Sequence, residues 1–99
     1  MTLTNQQNRH LKSLAHHLKP VVMIGEKGIT ENLLAELDHA LEDHELIKVS
    51  ITGADKEERR ALTEEICQAS GATLVQLIGR ISVLYRPSQE PQLVIPKKK

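Results

Sequence analysis

The 99-residue chain reads as a single α/β domain in the order α-β-α-β-α-β-β, a two-layer sandwich whose helices cover one face of a four-stranded mixed sheet. Three observations predict this. Apolar residues recur at helical spacing in three separate segments, the first of them marked by Leu11, Leu14, Ala15 and Leu18. Between those segments lie short runs of strand character. One of them, 46–52, alternates strictly, with Ile47, Val49 and Ile51 on one side and Lys48, Ser50 and Thr52 on the other. Finally, only Gly79-Arg80 separates the last two runs, as the Gly-x turn of a type II′ hairpin requires.

The first helix is expected over 4–18. Thr4 caps it, and Gln7 three residues on completes a capping box. Pro20 ends the helix and holds Lys19 extended. Val21, Val22, Met23 and Ile24 form a buried strand, broken by Gly25-Glu26-Lys27-Gly28. Thr30 then caps a second helix whose stripe is Leu33, Leu34, Leu37 and Leu41, with Glu36, Asp38, Glu42 and Asp43 facing water. Asp55 and Glu58 make a second capping box for a third helix carrying Leu62, Ile66 and Ala69, and Gly71 supplies a left-handed stop. Strands at 73–78 and 81–85 follow, ended by Pro87. Strands connected through helices run parallel, and the hairpin adds an antiparallel partner. The domain is placed at 1–87, and 88–99 is expected to be an extended basic tail.

Composition narrows the function. The chain has no Phe or Trp, and Tyr85 is its one aromatic residue outside the histidines. Proteins that bind single strands by stacking bases need aromatic platforms; here recognition of nucleic acid would rest on phosphate, sugar and shape. The formal charge is zero but unevenly spread, with +3 over 1–30, −7 over 31–65 and +4 over 66–99. If the two basic ends meet in space, one face attracts phosphate and the other is acidic. The single cysteine, Cys67, allows no internal disulfide and fits a reducing cytosol. It falls in a helical pattern as a small core residue. No signal peptide or membrane-length apolar run is visible, so a cytoplasmic location is expected.

The loop Gly25-Glu26-Lys27-Gly28 leads from a strand to a helix N-terminus, where free N–H groups and the positive dipole end favour anions. Two glycines at this spacing let the backbone approach a partner closely. Gly-x-x-Gly loops that clamp a nucleic-acid backbone are found in KH modules, although any tight strand-to-helix turn can show the same four residues.

Several segments together are more specific. His10-Leu11-Lys12-Ser13-Leu14-Ala15-His16-His17-Leu18-Lys19-Pro20-Val21-Val22 leads into the glycine loop and Ile29-Thr30. His44-Glu45-Leu46-Ile47-Lys48-Val49 follows, then Gln76-Leu77-Ile78-Gly79-Arg80 and Val83-Leu84-Tyr85-Arg86-Pro87. In this order and spacing the chain resembles the YhbY family, the stand-alone bacterial form of the CRM (chloroplast RNA splicing and ribosome maturation) domain, from about Thr4 to Pro87. The resemblance implies an RNA-binding module similar in fold to the C-terminal domain of translation initiation factor 3, with the last strand between the second and third. It also implies association with precursors of the large ribosomal subunit. The family's loop maps onto Gly25, Glu26, Lys27 and Gly28, with Glu26 a departure where basic or small residues are common.

The RNA-contact candidates are therefore Lys12, Lys19, Gly25, Glu26, Lys27, Gly28, Lys48, Arg80 and Arg86. Each cation has an ordinary reading as a solvated surface charge. The lysines at 97–99 would add non-specific attraction. A metal site is not expected, since His39 and His44 sit roughly 140° apart around a helix and no His-x-x-x-His occurs. His16 is expected to pack beside Leu18. Ser13, Ser50, Ser70 and Ser82 lack a nucleophile elbow, and no P-loop is present. A non-catalytic, monomeric, cofactor-free protein acting on structured ribosomal RNA is the reading. The alternative is a protein-interaction module using the acidic helix faces from Glu36 to Glu45. Cations gathered on one face favour RNA; scattered cations favour a protein partner.

Overall fold

The computed structural model describes residues 3–88. Its elements are α1 (Asn5–Ala15), β1 (Pro20–Ile24), α2 (Glu31–His44), β2 (Leu46–Ile51), α3 (Lys56–Ser70), β3 (Thr73–Ile78) and β4 (Ile81–Tyr85). The sheet order is β1-β2-β4-β3, with β1 parallel to β2 and β4 antiparallel to both of its neighbours. The expected α-β-α-β-α-β-β order and mixed sheet are present, with the last strand between the second and third. The basic tail from residue 89 onward lies outside the described residues. Among the described residues no helix is long and apolar enough to cross a membrane.

Local chemistry sets the boundaries. Thr4 Oγ1 accepts the Gln7 N–H at 3.1 Å, and Gln7 Oε1 accepts the Thr4 N–H at 3.0 Å, closing the capping box. Thr30 Oγ1 accepts from Leu33 N–H, and Asp55 Oδ1 accepts from Glu58 N–H. The first helix stops at Ala15 rather than Leu18, and the Leu18 N–H turns back to the Ala15 carbonyl at 2.9 Å. Pro20 removes the next donor and keeps Lys19 out of the helical region. Gly71 ends α3 at φ 75°, as its lack of a Cβ allows. Gly79 has φ 55°, and Glu45 is the one described non-glycine residue at positive φ. The hairpin is thus not type I′, which would also need positive φ at Arg80.

The helices do not share one face. Val22, Ile24, Ile47, Val49, Ile51 and Leu84 pack against Leu33, Leu37 and Leu41 of α2 and Ile66 of α3. A second cluster holds Leu11 and Ala15 of α1 against Leu46, Val75, Val83 and Tyr85, on the opposite side of the sheet. Width explains the correction to the two-layer expectation. Four strands about 4.8 Å apart span roughly 15–20 Å, and helices pack about 8–10 Å from one another. Two helices fill one face, so the third covers apolar residues on the other.

The α3–sheet contact has a polar pin. Thr63 and Ser82 are fully buried, with hydroxyls 2.7 Å apart. Thr63 spends its one proton on the Arg59 carbonyl at 2.7 Å, so Ser82 donates to it. Nearby, burial and then the Glu64 charge push the Cys67 thiol from 9.0 up to about 11. The folded chain therefore keeps a proton that the unfolded chain releases above pH 9. Stability from this group is complete below pH 9 and is lost as pH rises towards 11. Alkaline denaturation followed by circular dichroism should show this slope, and Cys67→Ala should flatten it. At pH 8 a thiol-specific reagent should label Cys67 far more slowly in the folded chain than in the unfolded one, because little of this half-buried thiol is ionised.

Candidate nucleic-acid interface

Strand register builds the surface on the α1 side. One row across the sheet is Leu46, Tyr85 and Thr73, and the next is Pro20, Lys48, Val83 and Gln76. The third row is Met23, Ser50, Ile81 and Ile78. Leu11 and Ala15 of α1 cover Leu46, Val83 and Tyr85 but stop short of the third row, where Met23 is 68% and Ile78 60% exposed. The sheet face is thus half roofed and half open.

Lys48 emerges at the margin of the roof. With Lys12 of α1, the helix's C-cap residue His16, and Gln76, Ile78 and Ile81, it lines a cleft of about 220 Å³. A shallower continuation adds Arg9, Ser13 and His17. Arg9 and Lys12 are brought together by i, i+3 spacing on α1, and the C-cap residue His16 lies next to them. Among the described residues no carboxylate lines either cleft, and α1 contains no acidic residue. The expected packing of His16 beside Leu18 is replaced by an exposed position in this cleft, because the helix has already ended at Ala15. On the far side of the sheet, α2 carries Glu31, Glu36, Asp38, Glu42 and Asp43 without a Lys or Arg. The charge asymmetry in sequence becomes an asymmetry between the two faces.

The glycine loop lies at the sheet end where β1 and β2 finish and β4 begins. The Gly28 N–H closes a turn onto the Gly25 carbonyl at 3.0 Å, and Gly28 has φ 68°. Thr52 N–H donates to the Ile24 carbonyl and Ile51 N–H to the Arg80 carbonyl, so Lys27 and the hairpin residue Arg80 occupy the same end. The basin beside the loop is lined by Lys27 but also by Glu26 and Glu36. Met23 lines that basin and also belongs to the open third row, joining the two. The loop supplies backbone donors and a helix N-terminus, while the concentrated positive charge lies on the α1 side.

Two cations lie elsewhere. Lys19 precedes Pro20, the register partner of Lys48, and rims an apolar groove with Leu14, Leu18 and Val21. Arg86 is on the acidic side. Its Nη1 donates to Asp38 Oδ1 at 2.7 Å and to the Ser70 carbonyl at 2.8 Å, its Nη2 to the Asp38 carbonyl at 3.1 Å, and Glu42 is 3.5 Å away. With its side chain 18% exposed, Arg86 ties the last strand to α2 and the end of α3 rather than joining the cationic face. Arg86→Ala should lower stability by about 1–3 kcal/mol in urea denaturation, with RNA affinity unchanged below the melting transition.

A family model for the CRS1/YhbY (CRM) domain matches residues 3–86, which includes every element and both clefts. The chain belongs to the CRM domain family. An RNA-binding protein of Haemophilus influenzae is 50% identical to this CRM domain over 97 residues, covering 98% of each chain. The Bacillus subtilis protein named "Probable RNA-binding protein YqeI" is 40% identical over 95 residues, covering 95% of this chain and 99% of its own. The solution structure of a Staphylococcus aureus protein, 40% identical, superposes with a TM-score of 0.83 over 96% of this CRM domain and 100% of that chain.

Proposed function

We propose that this CRM domain is a non-catalytic RNA-binding protein that docks structured ribosomal RNA on its α1-side face. The observation that carries the reading is the separation of charge. Among the described residues, Arg9, Lys12 and Lys48 line joined clefts without a carboxylate, while α2 holds five acids on the other face. Phosphates would sit against Lys12 and Lys48, with Lys19, Lys27 and Arg80 at the two ends of the sheet. The loop residues Gly25 and Gly28 would allow close backbone approach, with Glu26 beside Lys27 in the basin keeping the loop's own charge near zero. Met23, Ile78 and Ile81 would contact sugars without reading sequence. Tyr85 is 3% exposed, so no aromatic platform takes part and bases are not read by stacking. The names of the relatives support RNA as the partner. The resemblance to the YhbY family is what points to precursors of the large ribosomal subunit. The protein would act as a cytoplasmic monomer.

Crosslinking in cells, followed by sequencing of the attached RNA, tests this. Large-subunit precursor rRNA should dominate the recovered sequences, with crosslinks on α1 and β2. Recovery of protein partners through α2, without rRNA, would overturn the reading in favour of an acidic protein-docking face.

A further inference from the structure

Among the described residues one apolar groove remains open, and the RNA reading uses only Lys19 at its rim. It lies at the end of the sheet where β1 starts, has a volume of about 390 Å³, and is walled by Leu14, Leu18, Val21 and Leu46 with Lys19 at its rim. Leu14 and Leu18 are each 37% exposed and Val21 52%. The described chain arrives beside this groove. Arg86 N–H donates to the Glu45 carbonyl at 2.9 Å, and Ser88 N–H to Glu45 Oε1 at 3.2 Å. The neighbours of Glu45 in sequence, His44 and Leu46, both line the groove. Five residues beyond Ser88 the sequence places Leu93, Val94 and Ile95, an apolar triplet between Pro91 and Pro96 in an otherwise polar terminus.

We propose that residues 93–95 of the same chain seat in this groove, with Leu93 and Ile95 inserted against Leu14, Leu18 and Val21. Reach permits it, since five residues span up to about 17 Å. Ile95 precedes a proline and is biased to extended backbone, and in an extended segment side chains two apart share a side. An apolar cavity of about 150 Å³ admits a benzene ring, so the groove accommodates two aliphatic side chains. The short connection sets an effective concentration in the millimolar range, which favours this occupant over a second copy. Docking would leave residues 97–99 beside Lys19, adding three lysines to the side that carries Lys48. The inference stands apart from the RNA reading, because it rests on apolar complementarity and chain reach.

The test is methyl NMR on the full-length chain without RNA. NOEs are expected from the methyls of Leu93 and Ile95 to those of Leu14, Leu18 and Val21, within one molecule in a mixed-label sample. The full-length triple substitution L93S/V94S/I95S should shift the Leu14, Leu18 and Val21 methyls and lower Tm by about 5 °C. K97A/K98A/K99A should change neither. Absent NOEs with an unchanged Tm in the triple variant would overturn the proposal, and so would NOEs found only between molecules, which would place a second copy in the groove.

Discussion

Replacing Lys12 and Lys48 together by Ala is expected to weaken binding to precursor rRNA by about tenfold or more at low salt. The slope of log K against log salt should fall by about two, one for each phosphate contact removed. These two side chains line one cleft from different elements, α1 and β2, and no carboxylate among the described residues lines it. Each single substitution should remove about one unit of slope and weaken all RNA sequences alike, since neither residue is placed to read a base. Filter-binding or anisotropy titrations from 50 to 300 mM salt would measure this. Circular dichroism should show the fold intact, because Lys12 is exposed and Lys48 is only partly buried. An unchanged slope in the double variant would remove the cleft from the interface.

Which parts of this arrangement were legible in the residues follows from the range of the forces involved. Capping chemistry is local, so Thr4, Thr30, Asp55 and Gly71 marked helix ends correctly. The alternation of 46–52 identified both faces of β2, and the Gly79-Arg80 turn identified the hairpin. The side of the sheet on which α1 lies was not legible. Its stripe of Leu11 and Ala15 shows that one face must be buried, but sheet width decides against what. Strand β3 hides its facing for another reason: a register shift between Leu74 and Gln76 breaks strict alternation, so Val75 and Gln76 cannot be assigned by counting. Arg86 is the clearest case among the candidate residues. Its partner Asp38 is 48 residues away, and a cation at a strand end looks the same in sequence whether it meets RNA or a carboxylate. The pairing of Arg9 with Lys12 on α1, by contrast, is legible as i, i+3 spacing, although only Lys12 is an RNA-contact candidate by sequence.

Gly28→Val is expected to abolish most RNA affinity while leaving its salt dependence nearly unchanged. Space is not the obstacle, because an added Cβ at Gly28 would meet nothing within 4 Å. The backbone is the obstacle: φ 68° is a region that a β-branched residue enters at a cost of about 1–3 kcal/mol. Relief of that strain would shift the entry to α2, moving the uncharged backbone donors around Thr30. Gly25→Ala separates this from close approach. Gly25 has ordinary φ and open space around it, so alanine there should preserve stability and turn geometry. A loss of affinity in Gly25→Ala would mean that the partner's backbone comes within van der Waals range of that carbon. Full affinity in Gly25→Ala with loss in Gly28→Val would mean that the turn matters as a positioning device for the helix N-terminus. Lys27→Ala supplies the third comparison, lowering the salt slope by about one if its ammonium meets phosphate. Full affinity in all three variants would reduce the loop to a structural turn and remove it from the interface.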